Sequence, residues 1–446
     1  MSQFPSDDPV QGQSPEQGQP GHPDRREFIK TSASVAAGGL ILPGVLPGVL
    51  PGFAAHVSGS DVLRVGLIGC GNRGSGAAVQ ALRADKGTQL VAMADAFPDR
   101  IERALGNIKK SNVADRIVVE DGMKFSGIDG YKKLLQHVDV VILTSPPHFR
   151  PEHLKAAVEA GKHVFCEKPV AVDTPGLKSV RESCDLARMK NLSLVSGLCW
   201  RYDHPMKGTF QRIHEGGVGD IVTIQATYNT HGLWEHKRQP KWTDLEWQIR
   251  NWIYFTWLSG DHIAEQHIHS LDKIAWALKD ETPKKVTASG GRITRIEPRY
   301  GNVFDHFNTV YEYESGVKAF ASCRQWNGAS TEVNDHVYGT KGHCDVFKHV
   351  ITGEKPWKYE GPRGNMYQNE HNELFASIRA GKPINNGGYM VNSTMMAIMG
   401  RMAAYTGKTI TWEQAWGSTQ RLGPDNYEWG PLATPPIARP GKTKFV

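Results

Sequence analysis

The sequence predicts an α/β fold: a parallel, doubly wound sheet first, then a second, strand-rich α/β domain. Three observations carry that expectation. Short and nearly continuous apolar runs, VLRVGLI (62–68), TQLVAMAD (88–95) and Val138–Leu143, read as strands buried on both faces, as parallel strands are. The first run leads directly into Gly69-Cys70-Gly71-Asn72-Arg73-Gly74, a G-x-G-x-x-G turn, and helix-like stretches separate the runs. After about residue 200 the pattern changes to strand following strand, closed by two helices.

The chain has 446 residues, 39% hydrophobic and 22% charged, enough for a large core and two or three domains. A net charge of +6 without a basic block argues against a nucleic-acid partner. Cys70, Cys166, Cys184, Cys199, Cys323 and Cys344 are widely spaced with no C-x-x-C, so they read as small buried hydrophobes rather than a disulfide framework. The first 24 residues, rich in Gln, Pro, Gly and Asp, are expected to be disordered. Asp24-Arg25-Arg26-Glu27-Phe28-Ile29-Lys30 resembles a twin-arginine export signal, with Asp24 where Ser or Thr is usual. The apolar stretch from Ala33 to Leu42 runs into LPGVLPGVLPG, whose prolines break a helix, so no stable membrane span is expected. Small residues at Gly52, Ala54 and Ala55 suit cleavage. Residues 1–55 therefore read as a disordered leader and export signal handed to the twin-arginine translocase, with the mature protein periplasmic or otherwise extracytoplasmic.

Residues 56–200 read as a dinucleotide-binding Rossmann domain. Gly69 allows the tight turn, Gly71 lets backbone approach a pyrophosphate, and Gly74 lets helix pack on strand. The helix that follows, with Asn72 and Arg73 in its first turn, presents its amides to the phosphates. Asp95 ends the second strand where an acid should bind a ribose hydroxyl pair, which favours NAD, and Arg100 keeps NADP open. Ser145 and His148 follow the third apolar strand, at the carboxyl end where ligands sit. The helix PEHLKAAVEAG, begun by Pro151 and ended by Gly161, leads to a short strand and Glu167-Lys168-Pro169.

The run TSPPHFRPEHLKAAVEAGKHVFCEKPVAVD (144–173), together with the glycine turn and Asp95, resembles the signature of the glucose–fructose oxidoreductase, inositol dehydrogenase and MocA family over roughly residues 61 to 200. The resemblance implies a nicotinamide cofactor, NAD or NADP, held near Ser145, His148, Glu167 and Lys168. It also implies an α/β substrate domain over 201–446 with a large, open, mostly antiparallel sheet, and a homo-oligomer.

In Gly260–Asp272 and the following KIAWALK, a helical period puts Ala264, Ile268, Leu271, Ala275 and Leu278 on one stripe. Glu265, His269 and Asp272 then share another face, with His262 and Gln266 beside them. The family resemblance implies a catalytic set of Lys168, His269 and Glu265 around the carbon that gives or takes hydride. Two departures stand out: Glu265 replaces the usual Asp, and His267 fills the place of a glycine. A metal site on His262, Glu265, His267 and His269 is not expected, because His267 and His269 are two apart and point in different directions. A purely structural, capped surface helix is the other alternative.

The segment HGLWEHKRQPKWTDLEWQIRNWIYFTW carries Trp234, Trp242, Trp247, Trp252 and Trp257, either to stack on a sugar or to fill a loop core or subunit interface. Arg201, His231, Trp234 and His269 are the expected substrate contacts, with Glu235, Lys237 and Arg238 able to hydrogen-bond. DIVTIQATYNT, KKVTASGGRIT, FNTVYEYESGVKAFASCRQ and NDHVYGTKGHCDV read as strands, NEHNELFASIRAGKP and NSTMMAIMGRMAAYTGK as helices, and the last residues as an extended arm. The leading expectation is an exported oxidoreductase acting on a sugar, cyclitol or related polyol with tightly bound NAD. A redox-neutral, NAD-dependent glycoside hydrolase ranks second, and a non-catalytic sugar-binding protein third.

Overall fold

The computed structural model describes residues 61–446; the leader, twin-arginine signal and cleavage site expected in 1–55 lie outside the described residues. The first sheet contains β1 (Leu63–Ile68), β2 (Thr88–Asp95), β3 (Lys124–Ser126), β4 (Val140–Leu143), β5 (His163–Cys166) and β6 (Leu194–Ser196). All pair in parallel, in the order 3-2-1-4-5-6. Val65, Leu67, Val140 and Ile142 are fully buried, as a sheet covered on both faces requires. The strand order reverses between β1 and β4, so a crevice opens at their carboxyl ends. Helix α1 (Asn72–Ala84) starts there and packs Ala77, Ala78, Ala81 and Leu82 onto the sheet.

The second sheet has nine strands: β7 (Ile221–Thr230), β8 (Lys285–Gly291), β9 (His306–Glu312), β10 (Lys318–Gln325), β11 (Glu332–Gly339), β12 (Gly342–Asp345), β13 (Val350–Gly353), β14 (Trp357–Lys358) and β15 (Ile410–Thr411). They run in the order 14-13-12-11-7-10-9-8-15, antiparallel except for β7 beside β10. This is the α/β architecture, with a mostly antiparallel second sheet, that the sequence led us to expect. Helices α2 (Ile268–Ala277) and α4 (Gly387–Thr406) cover one face. The other face is open and carries Thr223, Gln225, Phe320 and Tyr338.

Two features tie the halves together. Helix α3 (Met366–Arg379) lies in the C-terminal half yet packs on α1, with Leu374 and Phe375 fully buried in the first sheet's core. A separate apolar cluster joins Phe97 and Phe149 of the first half to Leu245, Ile249, Tyr254 and Trp257 of the second. All six cysteines are buried and unpaired. Among the described residues no helix is long and apolar enough to cross a membrane.

Candidate active site

The β1–α1 turn is shaped for a close approach. Gly69 has φ +93°, and a Cβ there would stand 2.4 Å from the Ser145 amide nitrogen. A Cβ on Gly74 would stand 2.1 Å from the Gly69 carbonyl oxygen, whereas one on Gly71 would meet nothing within 4 Å. Gly71 therefore faces open space, and no side chain caps the first turn of α1, so its amides stay available to an anion.

Beside the turn lies a cleft walled by Gly69, Gly71, Asp95, Arg100 and Ser145. Ile249 and Trp252, from the second half of the chain, close its other side. Asp95 accepts hydrogen bonds from the amides of Cys70 (2.7 Å) and Phe97 (3.0 Å), and burial pushes its carboxyl above the usual range. Ser145 Oγ lies 3.0 Å from His153 Nδ1.

His148, expected at the cofactor, is not on this wall. Its Nε2 meets the Tyr427 hydroxyl at 2.7 Å and its ring packs edge-on against Trp257, and burial drops its pKa to about 4. His153 stands on the wall instead. Arg73 is also turned away. Its guanidinium donates to Glu167, to Gln80 (2.6 Å) and to Glu370 of α3 (2.6 Å), leaving only its main chain at the start of α1. Asn72 is exposed beside it. With two carboxylates on one half-buried guanidinium, Arg73 holds Glu167 below the usual carboxylate range, while burial raises Glu370 well above it. The ionised Glu167 accepts from the Lys168 amide at 3.1 Å.

Lys168, at the end of β5, points across to the second half. Its ammonium donates to the main-chain carbonyl of Glu265 and lies 3.4 Å from Glu265 Oε1. The single helix expected through 260–278 is broken at this contact. The Glu265 carbonyl, which would accept from the His269 amide in a continuous helix, is taken by Lys168, and His269 N donates to Gln266 O instead. A short helix ends at Glu265, and α2 begins at Ile268. Glu265, His269 and Asp272 thus do not share one helical face.

His269 sits at the start of α2, buried, with its Nδ1 bonded to nothing in the protein. Burial, followed by the nearby charges of Lys168 and Lys273, holds its pKa well below the ordinary histidine value, so the imidazole is neutral. Asp272 turns instead to Arg201, which donates to both its oxygens and to Asp280 (2.6 Å). Arg201, expected at the substrate, is therefore spent on a buried ion pair, with the rings of Trp276 and Tyr389 on its guanidinium.

His231 is exposed just past β7, its Nδ1 3.4 Å from the Trp326 carbonyl. Trp234 is 42% exposed and packs 6.1 Å from Trp252, on the cofactor side of the site. Trp257 and Trp247 pack in or against the apolar cluster that joins the halves. His262 pairs with Asp261 (3.1 Å) and His267 is fully buried. Among the described residues no group of three or more His, Cys, Asp or Glu is placed to hold a metal ion. Sequence reasoning missed Glu370, His153, Ile249 and Tyr427 as neighbours of the site. Of the residues on the far wall, only Trp252 carried a signal, its place in the tryptophan run.

Comparison with known proteins follows the same division. A family model described as "Oxidoreductase family, NAD-binding Rossmann fold" matches residues 63–197, and one described as "GFO/IDH/MocA C-terminal domain" matches 209–345. The chain is 29% identical over 212 residues to a 2,7-anhydro-N-acetylneuraminate hydratase of Escherichia coli, covering 47% of this chain and 51% of that protein. It is 28% identical over 275 residues to an inositol 2-dehydrogenase of Saccharopolyspora erythraea (61% and 70%). It is 25% identical over 319 residues to a glycosyl hydrolase family 109 protein of Phocaeicola vulgatus (68% and 56%). The matched regions thus span about half the length of the first and third of these relatives. In fold, it resembles GenD2 from gentamicin A biosynthesis, solved in complex with NAD (TM-score 0.60, 15% identity, 82% of this chain and 99% of that one).

Proposed function

Because this chain belongs to the GFO/IDH/MocA oxidoreductase family, we propose that it passes hydride between a tightly held nicotinamide cofactor and a sugar, cyclitol or related polyol. One observation carries the reading: Lys168, next to the Glu167 that binds Arg73 at the start of α1, donates across to the Glu265 carbonyl in the other half of the chain, and its charge acts on the neutral His269. The open space at Gly71 and the uncapped first turn of α1 fit a pyrophosphate, and Asp95 fits a ribose diol. A nicotinamide bound there supplies the hydride donor or acceptor. The chain's own residues handle the proton. Lys168 places a positive charge on the substrate oxygen, Glu265 fixes the direction of that ammonium, and His269 or Lys168 takes the hydroxyl proton.

The twin-arginine-like motif supports export, and export of a folded protein allows the cofactor to be loaded before crossing. Free NAD is scarce outside the cytoplasm, so the cofactor is held tightly and regenerated in place. The exposed Phe320 and Tyr338 on the open face of the second sheet support a homo-oligomer. Mass spectrometry and absorbance of the purified protein, before and after adding a panel of sugars and polyols, test the reading. Co-purifying NAD(P) whose redox state changes with a polyol is expected; a protein that neither retains nor binds NAD(P) overturns it.

The likeness to a glycosyl hydrolase family 109 protein favours a second reading, glycosidic bond cleavage without net redox change. Release of aglycone from an aryl glycoside, with no NAD added and no lasting change at the nicotinamide band, selects that reading over net oxidation.

A further inference from the structure

The cleft wall opposite the glycine turn does not come from the nucleotide-binding half. Ile249 and Trp252 line the same cleft as Asp95 and Arg100, and Asp95 marks the end where the adenosine ribose sits. Three attachments hold these two residues there. Arg250 lies 3.9 Å over the ring of Phe97 and bridges both oxygens of Asp99, at 3.1 and 2.8 Å, from a helix of the first half. Behind the helix Asp244–Arg250, the C-terminal segment binds it through Leu245 N to Gly430 O (3.3 Å), Gln248 Nε2 to Leu432 O (2.8 Å) and Leu432 N to Asp244 Oδ2 (3.1 Å). Trp429 then packs 5.7 Å from Phe97, and Tyr427 holds His148. Cover, latch and backing strap are therefore continuous across the first half, the tryptophan segment and the end of the chain.

We infer that Ile249 and Trp252 bind the adenosine half of the dinucleotide from above, and that the Arg250–Asp99 pair and residues 427–432 lock that cover shut and set how slowly the cofactor leaves. The inference rests on the dinucleotide reading and names the part of the chain that accounts for tight retention. An apolar cluster serving only to glue the two halves together needs no aromatic face on the cleft and no ion pair across its rim. Arg250 is 12% exposed and Asp99 47%, so the latch alone is weak and the cover's aromatic contact is the larger contribution.

The test uses the full-length holoprotein, freed of unbound cofactor, with release of NAD followed after dilution into excess ADP-ribose. Trp252→Ala is expected to speed release by about tenfold, the loss typical of a buried aromatic anchor. Asp99→Asn, on a surface helix and no threat to folding, and Arg250→Met are each expected to speed it about two- to fivefold. The Asp99→Asn/Arg250→Met double variant should then release no faster than Arg250→Met alone, because Asp99→Asn has no partner left to lose once Arg250 is gone. Wild-type release rates in Trp252→Ala and in both latch variants overturn the cover while leaving the dinucleotide reading intact. Additive effects of the two latch substitutions overturn the latch. A wild-type protein that neither retains nor binds NAD(P) overturns the dinucleotide reading and the cover with it.

Discussion

Lys168 has three N–H donors, and the structure aims its ammonium at both the carbonyl and the carboxylate of one residue, Glu265. Replacing Lys168 with Met removes the charge and the donors but keeps the length. Turnover is expected to fall by about 10²- to 10⁴-fold, the range for a positioned proton-transfer group, while NAD stays bound by absorbance. Near-normal turnover removes Lys168 from the chemistry. His269 makes a second residue-level expectation. Burial, then the charges of Lys168 and Lys273, lower its pKa well below the ordinary histidine value and so favour the neutral, proton-accepting form. The acid limb of kcat/KM should therefore lie clearly below 6.5, the ordinary histidine value, and an inflection at that pH argues against His269 as the base. Lys168, Glu265 and His269 stand out in the sequence through the family resemblance, and the structure brings the first two into contact. Arg201 was not, because its role depends on Asp272 and Asp280, which only the tertiary fold brings to it.

Among the elements, the β1–α1 turn separates fold from function most cleanly. Gly71 has φ −79°, open to any residue, and a Cβ there meets no protein atom. Gly71→Ala is expected to melt like the wild type and to bind NAD much more weakly, because the new methyl enters the cofactor's space. Gly74→Ala drives a methyl into the Gly69 carbonyl and Thr144 Oγ1, and should cost about 1–3 kcal/mol of stability even without cofactor. Melting curves with and without NAD distinguish the two, and equal behaviour in both assays contradicts the geometry. The buried strands were readable because parallel strands are apolar throughout. The two-residue strands β14 and β15 were not, being too short for any alternation to appear. The break after Glu265 was unreadable for a different reason: the donor found at it, Lys168, is 97 residues away in sequence.

Across the whole molecule, several histidines are buried neutral. Burial lowers His148 to about 4, and His153 and His267 to about 3. The unfolded chain takes up protons on these residues as pH falls through 6.5, and the native state refuses them until about 4 or below. Their contribution to stability is complete above 6.5 and is lost progressively on acidification. Melting temperature should drop steadily from neutral pH towards about 4; a flat profile means these imidazoles are not buried as described. The two-sheet plan was legible at this scale, from the change of pattern near residue 200. The return of α3 to the first sheet was not, since nothing local in NEHNELFASIRAGKP names the surface it covers. That return has a consequence for how the protein is made. A nascent chain that has emerged from the ribosome through β6 already carries all six parallel strands. It still lacks Leu374, Phe375 and the Glu370 partner of Arg73, all supplied by a helix that begins at Met366 of 446 residues. The nucleotide cradle is thus among the last parts to become rigid, and cofactor loading belongs after translation rather than during it.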